Sequence, residues 1–222
     1  CLNGNVRGGS SISTANMNVN GSVIENANIK TPILFADDEM LYNNPAKKQE
    51  LLENYARECE NCTSGDTLLI SIDKICENLE HKAAWMMKNI REREWISDGA
   101  DGGWFNGYYD NHGQQVEYCR QGDVRMMLTS QVFSIMSGTA RKDQIKLICR
   151  SADKYLYEEK AGGYRLNTDF KEEKFDLGRM FGFAYGEKEN GAVFSHMAVM
   201  YSYALYKQGF VKEGYKVLKT LV

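Results

Sequence analysis

Glu189-Asn190-Gly191-Ala192-Val193-Phe194-Ser195-His196 brings a carboxylate, an amide, a glycine and an imidazole into one short stretch. After it, Met197, Val199, Met200, Tyr203, Ala204 and Leu205 recur at helical spacing, so the segment reads as a tight polar loop feeding a buried helix. A helix start offers unpaired backbone N–H groups and a partial positive charge, which suits an anion such as phosphate. His196 falls in the first turn of that helix. A lone histidine there is as readily structural as it is a ligand, and these residues alone leave both readings open.

Working outward, Gly209 separates this helix from a last one ending near Val222, as a helix C-cap does. Two helices are expected upstream, over 122–139 and 141–158, followed by a loop rich in Gly, Asp and Lys. Earlier still, Pro45 suits a first helical turn, with Leu51, Leu52, Tyr55 and Ala56 as its apolar stripe. Thr63-Ser64-Gly65-Asp66 makes a turn. A longer helix follows, with Leu68, Leu69, Ile72, Ile75, Cys76, Leu79, Ala83, Trp85, Met86 and Ile90 on its buried side, until Asp98-Gly99-Ala100-Asp101-Gly102-Gly103 breaks it. The pattern is about three helical hairpins with polar connections. It has no repeating period of the kind that marks a helical scaffold array.

The glycine-rich break delivers Trp104, Phe105, Tyr108 and Tyr109 into a loop flanked by Asn106, Asp110 and Asn111. Flat apolar faces beside amides and carboxylates are what a sugar subsite uses; a small aromatic core under the loop would use the same residues. At the other end, residues 1–30 are rich in Asn, Ser and Gly, with Met17, Val19 and Val23 alternating around Asn20-Gly21. That signals a short hairpin or an extended loop.

A chain of 222 residues with 43% hydrophobic and 26% charged residues is large enough to bury one core. A net charge of −3, with basic residues spread among acidic ones, gives no footing for nucleic acid or an anionic membrane, and no run is long and apolar enough to span a bilayer. The six cysteines are too few and too unevenly placed for a secreted disulfide framework, so reduced thiols and a cytoplasmic location are expected. Cys59-Glu60-Asn61-Cys62 has no second ligand pair at zinc spacing, and no metal site is expected. The chain opens on Cys1 without an initiator Met, which is read as an internal piece of something longer.

Three motifs, in order, carry a family resemblance. Glu189 to His196 resembles the E-N-G-G/A-V-F-x-H signature of glycoside hydrolase family 94, the inverting glycoside phosphorylases. Glu94-Trp95-Ile96 through Gly103-Trp104-Phe105-Asn106-Gly107-Tyr108-Tyr109-Asp110-Asn111-His112-Gly113 is similar to the family's W-F-x-x-x-Y/F-D-D-x-G turn. Ser130-Gln131-Val132-Phe133-Ser134-Ile135-Met136-Ser137-Gly138-Thr139-Ala140 is similar to its S-Q-x-W-x-x-x-S-G-x-A helix. The resemblance runs from about residue 30 to the C-terminus, and Gly178 to Gly186 is most similar to the 1,2-beta-oligoglucan branch.

This resemblance implies a mostly α chain: part of an (α/α)6 toroid over 41–222, the later part of its barrel, behind a hairpin or extended lead-in over 1–40. It implies phosphorolysis of a β-linked gluco-oligosaccharide to α-glucose 1-phosphate, with phosphate as co-substrate and no other cofactor. The rest of the barrel, or a complementing chain, would be a partner. It assigns phosphate to His196 and sugar to Glu189, with Gln131 and Trp104 as further substrate-binding residues. Phosphate is itself the nucleophile in such a reaction, so a single protein carboxyl group suffices, as general acid. In the family that acid opens a D-W-N-D-G segment absent from this chain; the nearest candidate by position is Asp37, after Ala36, with Asp38 next in line and Ile33, Leu34 and Phe35 to raise its pKa, the other readings being an acid in a segment outside this chain or none at all. Two other readings are a non-catalytic sugar-binding or scaffold module, and a hydrolase with Glu189 or Asp110 as the second carboxylate.

Overall fold

The computed structural model describes residues 16–17, 23–25, 44–59, 68–69, 71–99, 101–110, 112–120, 122–174 and 177–222. Asp37, and with it most of the expected lead-in, lies outside the described residues. The chain divides into two compact units, Cys1–Met86 and Met87–Val222. Among the described residues there are six α-helices, accompanied by short strands. None of these helices is long and apolar enough to cross a membrane.

In the first unit β1 (Asn16–Met17) pairs antiparallel with β2 (Val23–Glu25), Met17 opposite Ile24, while the Asn20-Gly21 dipeptide lies outside the described residues. β3 (Leu68–Leu69) adds to the other edge of β2. Helix α1 (Pro45–Cys59) starts as its sequence suggests: Asn44 Oδ1 accepts the Lys47 N–H at 3.0 Å, and Pro45 takes the first helical position, where no N–H is needed.

Helix α2 (Ile72–Arg93) is shorter at both ends than its apolar pattern suggested. Leu68 and Leu69 belong to the β2–β3 ladder, and the helix winds up only after Ser71, whose carbonyl accepts the Ile75 N–H. Several of its apolar residues are also not buried: Ile72, Leu79 and Met86, seven apart, are 40%, 57% and 49% exposed. The stripe turned inward runs instead through Ile75, Asn78, Lys82, Trp85 and Asn89, so polar residues share the covered face.

The second unit holds the main core. Hairpin β4 (Trp95–Ser97) and β5 (Gly103–Phe105) occupies the stretch that read as a helix end and a loop; the glycine run is its turn. Hairpin β6 (Tyr118–Arg120) and β7 (Asp123–Arg125) takes the first residues of an expected helix, so α3 runs only over Leu128–Met136. Helix α4 (Lys142–Tyr155) ends early because Tyr157, in β8 (Tyr157–Glu158), pairs with Tyr164, in β9 (Gly163–Tyr164). Helices α5 (Ser195–Lys207) and α6 (Val211–Lys219) are the last pair, parted by Gly209 at a φ of 85°, a conformation glycine adopts without steric cost.

Helix α5 packs on α3 and α6, and α4 packs on β5. Trp104, Val132, Ile135, Ile145, Ile148, Tyr201 and Leu205 fill the space between them. At one end, residues 126–128, 165–168 and 191–193 lie side by side. Leu128 N–H bonds to Leu166 O at 2.7 Å and Leu166 N–H to Ala192 O at 3.0 Å, with bridges Met127–Asn167 and Arg165–Val193. These bonds place the starts of α3 and α5 at two edges of one array.

Candidate functional site

The loop entering α5 is tightly built. Asn190 N–H bonds to Glu187 O at 2.9 Å and Gly186 N–H to Asn190 O at 2.7 Å, and Lys188 completes the turn at a φ of 46°. Asn190 Nδ2 donates to Phe183 O at 2.8 Å. On the far side Asn167, with no solvent exposure, accepts the Gly191 N–H on Oδ1 at 2.7 Å and donates from Nδ2 to Asn190 Oδ1 at 3.0 Å. Arg165 Nη1 donates to Gly191 O at 2.8 Å and its guanidinium lies over the Tyr185 ring. Gly191 holds a φ of 76°, and a Cβ there would stand 2.3 Å from the Tyr185 ring, so only glycine fits.

Two groups on this loop carry unused capacity. Helix α5 has Phe194 at its N-cap with no side-chain capping bond, and His196, in the first turn, is exposed and edges the Phe194 ring at 5.3 Å. Glu189 faces Arg179 at 3.7 Å through Oε1, while its Oε2 is buried and has no hydrogen-bond partner among the described residues. A buried carboxylate oxygen without a donor is costly, and a ligand hydroxyl would satisfy it.

The catalytic-domain profile of the glycosyl hydrolase 94 superfamily matches residues 70–222. The chain belongs to that superfamily. The match starts later than the residue of about 30 from which the resemblance was read. Over 108 residues the chain is 29% identical to solabiose phosphorylase of Paenibacillus borealis, covering 48% of this chain and 14% of that protein. Over 113 residues it is 29% identical to N,N'-diacetylchitobiose phosphorylase of Vibrio proteolyticus, covering 50% of this chain and again 14% of the relative. The matched stretch is thus a small share of either enzyme.

Within this glycosyl hydrolase 94 domain the site residues read from sequence separate into two groups. His196 and Glu189 stand on the loop just described. Trp104 and Gln131 do not: both are fully buried in the core. The Trp104 indole N–H donates to Arg125 O at 3.1 Å and the ring meets Tyr155 edge-on. The Gln131 amide accepts the Phe105 N–H at 2.8 Å and donates to Phe105 O and Met127 O, both at 2.9 Å. Neither side chain presents a surface to a sugar, because each is consumed in tying β5 to its neighbours. Of the four aromatics that read as one loop, Trp104 and Phe105 are core, whereas Tyr108 and Tyr109 are 47% and 43% exposed.

The sequence reading also missed a pair of buried glutamates. Glu117 accepts four donors: Met127 N at 2.7 Å and Gln131 Nε2 at 3.2 Å on one oxygen, Gly107 N and Ser130 Oγ, both at 2.7 Å, on the other. Glu94 accepts from Asn106 Nδ2 at 3.0 Å and Tyr109 OH at 2.9 Å, and Asn106 Oδ1 in turn accepts the Glu117 N–H at 3.2 Å. Burial pushes the Glu117 carboxyl up to about 8, against the pull of its hydrogen bonds, and the nearby Glu94 charge adds to the rise. The only sequence signal was a glutamate between Val116 and Tyr118 in an extended stretch, which is also how a solvated strand looks. No cluster of three or more His, Cys, Asp or Glu side chains that could hold a metal occurs among the described residues.

Proposed function

We propose that this chain forms part of an inverting phosphorylase acting on β-linked gluco-oligosaccharides, with the loop from Glu189 to His196 as a wall of its site. A phosphate oxygen would attack the anomeric carbon as the glycosidic C–O bond breaks. A carboxylic acid would give its proton to the departing sugar oxygen, yielding α-glucose 1-phosphate and a shortened sugar. Asp37 is the proposed acid. His196 and the unpaired N–H groups at the start of α5 would hold phosphate. Glu189 would accept a sugar hydroxyl.

The observation that carries this reading is the conjunction on one clamped loop of a buried, partnerless Glu189 Oε2 and an exposed His196 at an uncapped helix start. Both are vacancies of the right sign: an acceptor for a hydroxyl, donors for an anion. Superfamily membership, with two phosphorylases among the relatives, supports the same reaction class. The cytoplasm, with its sugars, phosphate and reducing poise, is the proposed setting.

The test is phosphate-dependent release of glucose 1-phosphate from a panel of β-linked gluco-oligosaccharides, using the chain alone and the full gene product. Release that requires phosphate, falls sharply in Asp37→Asn, and needs far more phosphate but little more sugar in His196→Ala supports the assignment. Equal loss of phosphate and sugar use in His196→Ala sinks the role of His196. Glucose released without phosphate makes the enzyme a hydrolase.

A further inference from the structure

We propose that a cavity in the second unit, apart from the Glu189 to His196 loop, is a carbohydrate site that takes the hydroxyl groups of an uncharged oligosaccharide; this rests on the reading of the chain as part of a carbohydrate-active enzyme. The cavity is about 530 Å³, within the range of small-ligand sites, and lies between the 108–116 turn, β6–β7 and the 172–174 loop. Its wall includes Gln114, Gln115, Arg120, Arg125, Glu172 and Lys174.

Arg125 decides what such a wall wants. The residue is 7% exposed, with Nη1 on Glu172 at 2.5 Å and Nη2 on Phe170 O at 3.4 Å. Its Nε is buried and has no acceptor among the described residues. A buried N–H without an acceptor is an incomplete arrangement that an incoming oxygen completes.

The charges around it argue for a neutral oxygen. Glu172 lies between Arg125 and Lys174, the latter at 3.2 Å, so both cations already face a carboxylate. Asp110, also in the wall, uses Oδ1 to accept the His112 and Gln114 N–H groups. A phosphate entering here would meet two carboxylates as well as the cations. A sugar hydroxyl, at once donor and acceptor, can answer amide, carboxylate and guanidinium in turn.

The site is also held ready. Tyr118 has the Arg120 and Arg125 guanidinium groups over its ring at 4.9 and 4.8 Å, and its hydroxyl bonds to Asp123 at 2.6 Å. That stacking orders Arg120 although it is exposed. On the rim, Tyr109 bridges to Gln115 through its backbone and bonds through its hydroxyl to the buried Glu94, leaving a large part of the side chain exposed. Tyr108 is exposed beside it, its carbonyl accepting the N–H of the cavity residue Val116. Two exposed tyrosines next to a polar cavity match the apolar C–H faces and polar edges of a pyranose.

The experiment is calorimetric titration of the 222-residue chain with cellobiose and cellotriose in phosphate-free buffer, and separately with inorganic phosphate. Saturable sugar binding is expected. Arg120→Ala and Gln114→Ala, both at exposed positions and therefore compatible with folding, are each expected to weaken it about tenfold. Arg125→Lys, which keeps a charge facing Glu172 but removes Nε, is expected to do the same. Phosphate-dependent release of glucose 1-phosphate is measured on the same Arg120→Ala and Gln114→Ala variants, so that loss of binding in the cavity is told apart from failure of the phosphorolysis reading. The proposal is overturned if neither sugar binds, if binding is indifferent to Arg120 and Gln114, or if phosphate alone binds and Arg120→Ala removes that binding.

Discussion

Asn167 Oδ1 accepts the Gly191 N–H at 2.7 Å from a side chain that is wholly buried. The same carboxamide donates to Asn190 Oδ1 at 3.0 Å and to Thr168 O at 2.9 Å, and the Asn167 carbonyl accepts the Tyr185 hydroxyl at 3.2 Å. One residue therefore fixes the amide and the glycine at the centre of the stretch that leads to His196, from a segment more than twenty positions away in sequence.

Replacing Asn167 by Ala leaves the buried Gly191 N–H unpaired, at a cost of about 1–3 kcal/mol. Because the break is local, amide exchange at Gly191 is expected to speed up in step with that cost, and any phosphate affinity at His196 to fall with it. A lower melting temperature with unchanged exchange at Gly191 would mean that Asn167 serves the core and not the loop.

Gly191→Ala combines two penalties that can be separated. The φ of 76° disfavours any Cβ by about 1–2 kcal/mol, and the Tyr185 ring lies 2.3 Å from where that Cβ would be. Tyr185→Ala relieves the second and not the first. In urea unfolding, the double substitution is expected to be less destabilised than the sum of the singles; strict additivity would remove the steric account.

Glu117 gives stability a pH dependence with a definite sign. Its carboxyl, ordinarily near 4.5, is raised by burial to about 8, so between these values the folded chain keeps a proton that the unfolded chain releases. The contribution is complete below 4.5 and is lost as pH rises through 8. Asp98, held low mainly by the Tyr155 hydroxyl and also by Lys154, and Glu172, held low by Arg125, act in the opposite direction: theirs is present above the ordinary carboxylate range and lost in acid. Urea midpoints taken over roughly pH 4 to 9 are therefore expected to peak on the acid side of neutrality. Glu117→Gln should flatten the decline toward alkaline pH, and an unchanged slope would assign that decline to another group.

What could be read in advance followed from local signals. The loop-to-helix start at Ser195 shows because apolar residues recur every three or four positions behind a glycine-containing turn, and the Gly209 break shows because a left-handed residue ends helices. The hairpins of the second unit did not show: β4, β5, β6 and β7 are three residues each, too short for a period of two to stand out from a helix edge or a loop. The Glu94–Asn106–Glu117 network and the Asn167 clamp were invisible for a different reason. Their partners come from separate segments, and a polar residue in sequence looks the same whether a fold surrounds it with donors or water does.

Trp104 and Gln131 allow the sugar-contact reading of these residues to be tested against the packing. Trp104→Phe loses the bond to Arg125 O and leaves a gap against Tyr155, for on the order of 1–3 kcal/mol, while the sugar affinity of the folded chain should not change. Gln131→Ala strips the partner from the Phe105 N–H, the Phe105 carbonyl and the Met127 carbonyl together, so its cost should exceed about 3 kcal/mol. Urea unfolding and sugar titration of the same samples decide between the roles. A Trp104→Phe chain of native stability that loses its sugar would put the indole in a binding site after all. A destabilised chain with unaltered affinity keeps both residues where their hydrogen bonds put them, in the core that carries β5 and the start of α3.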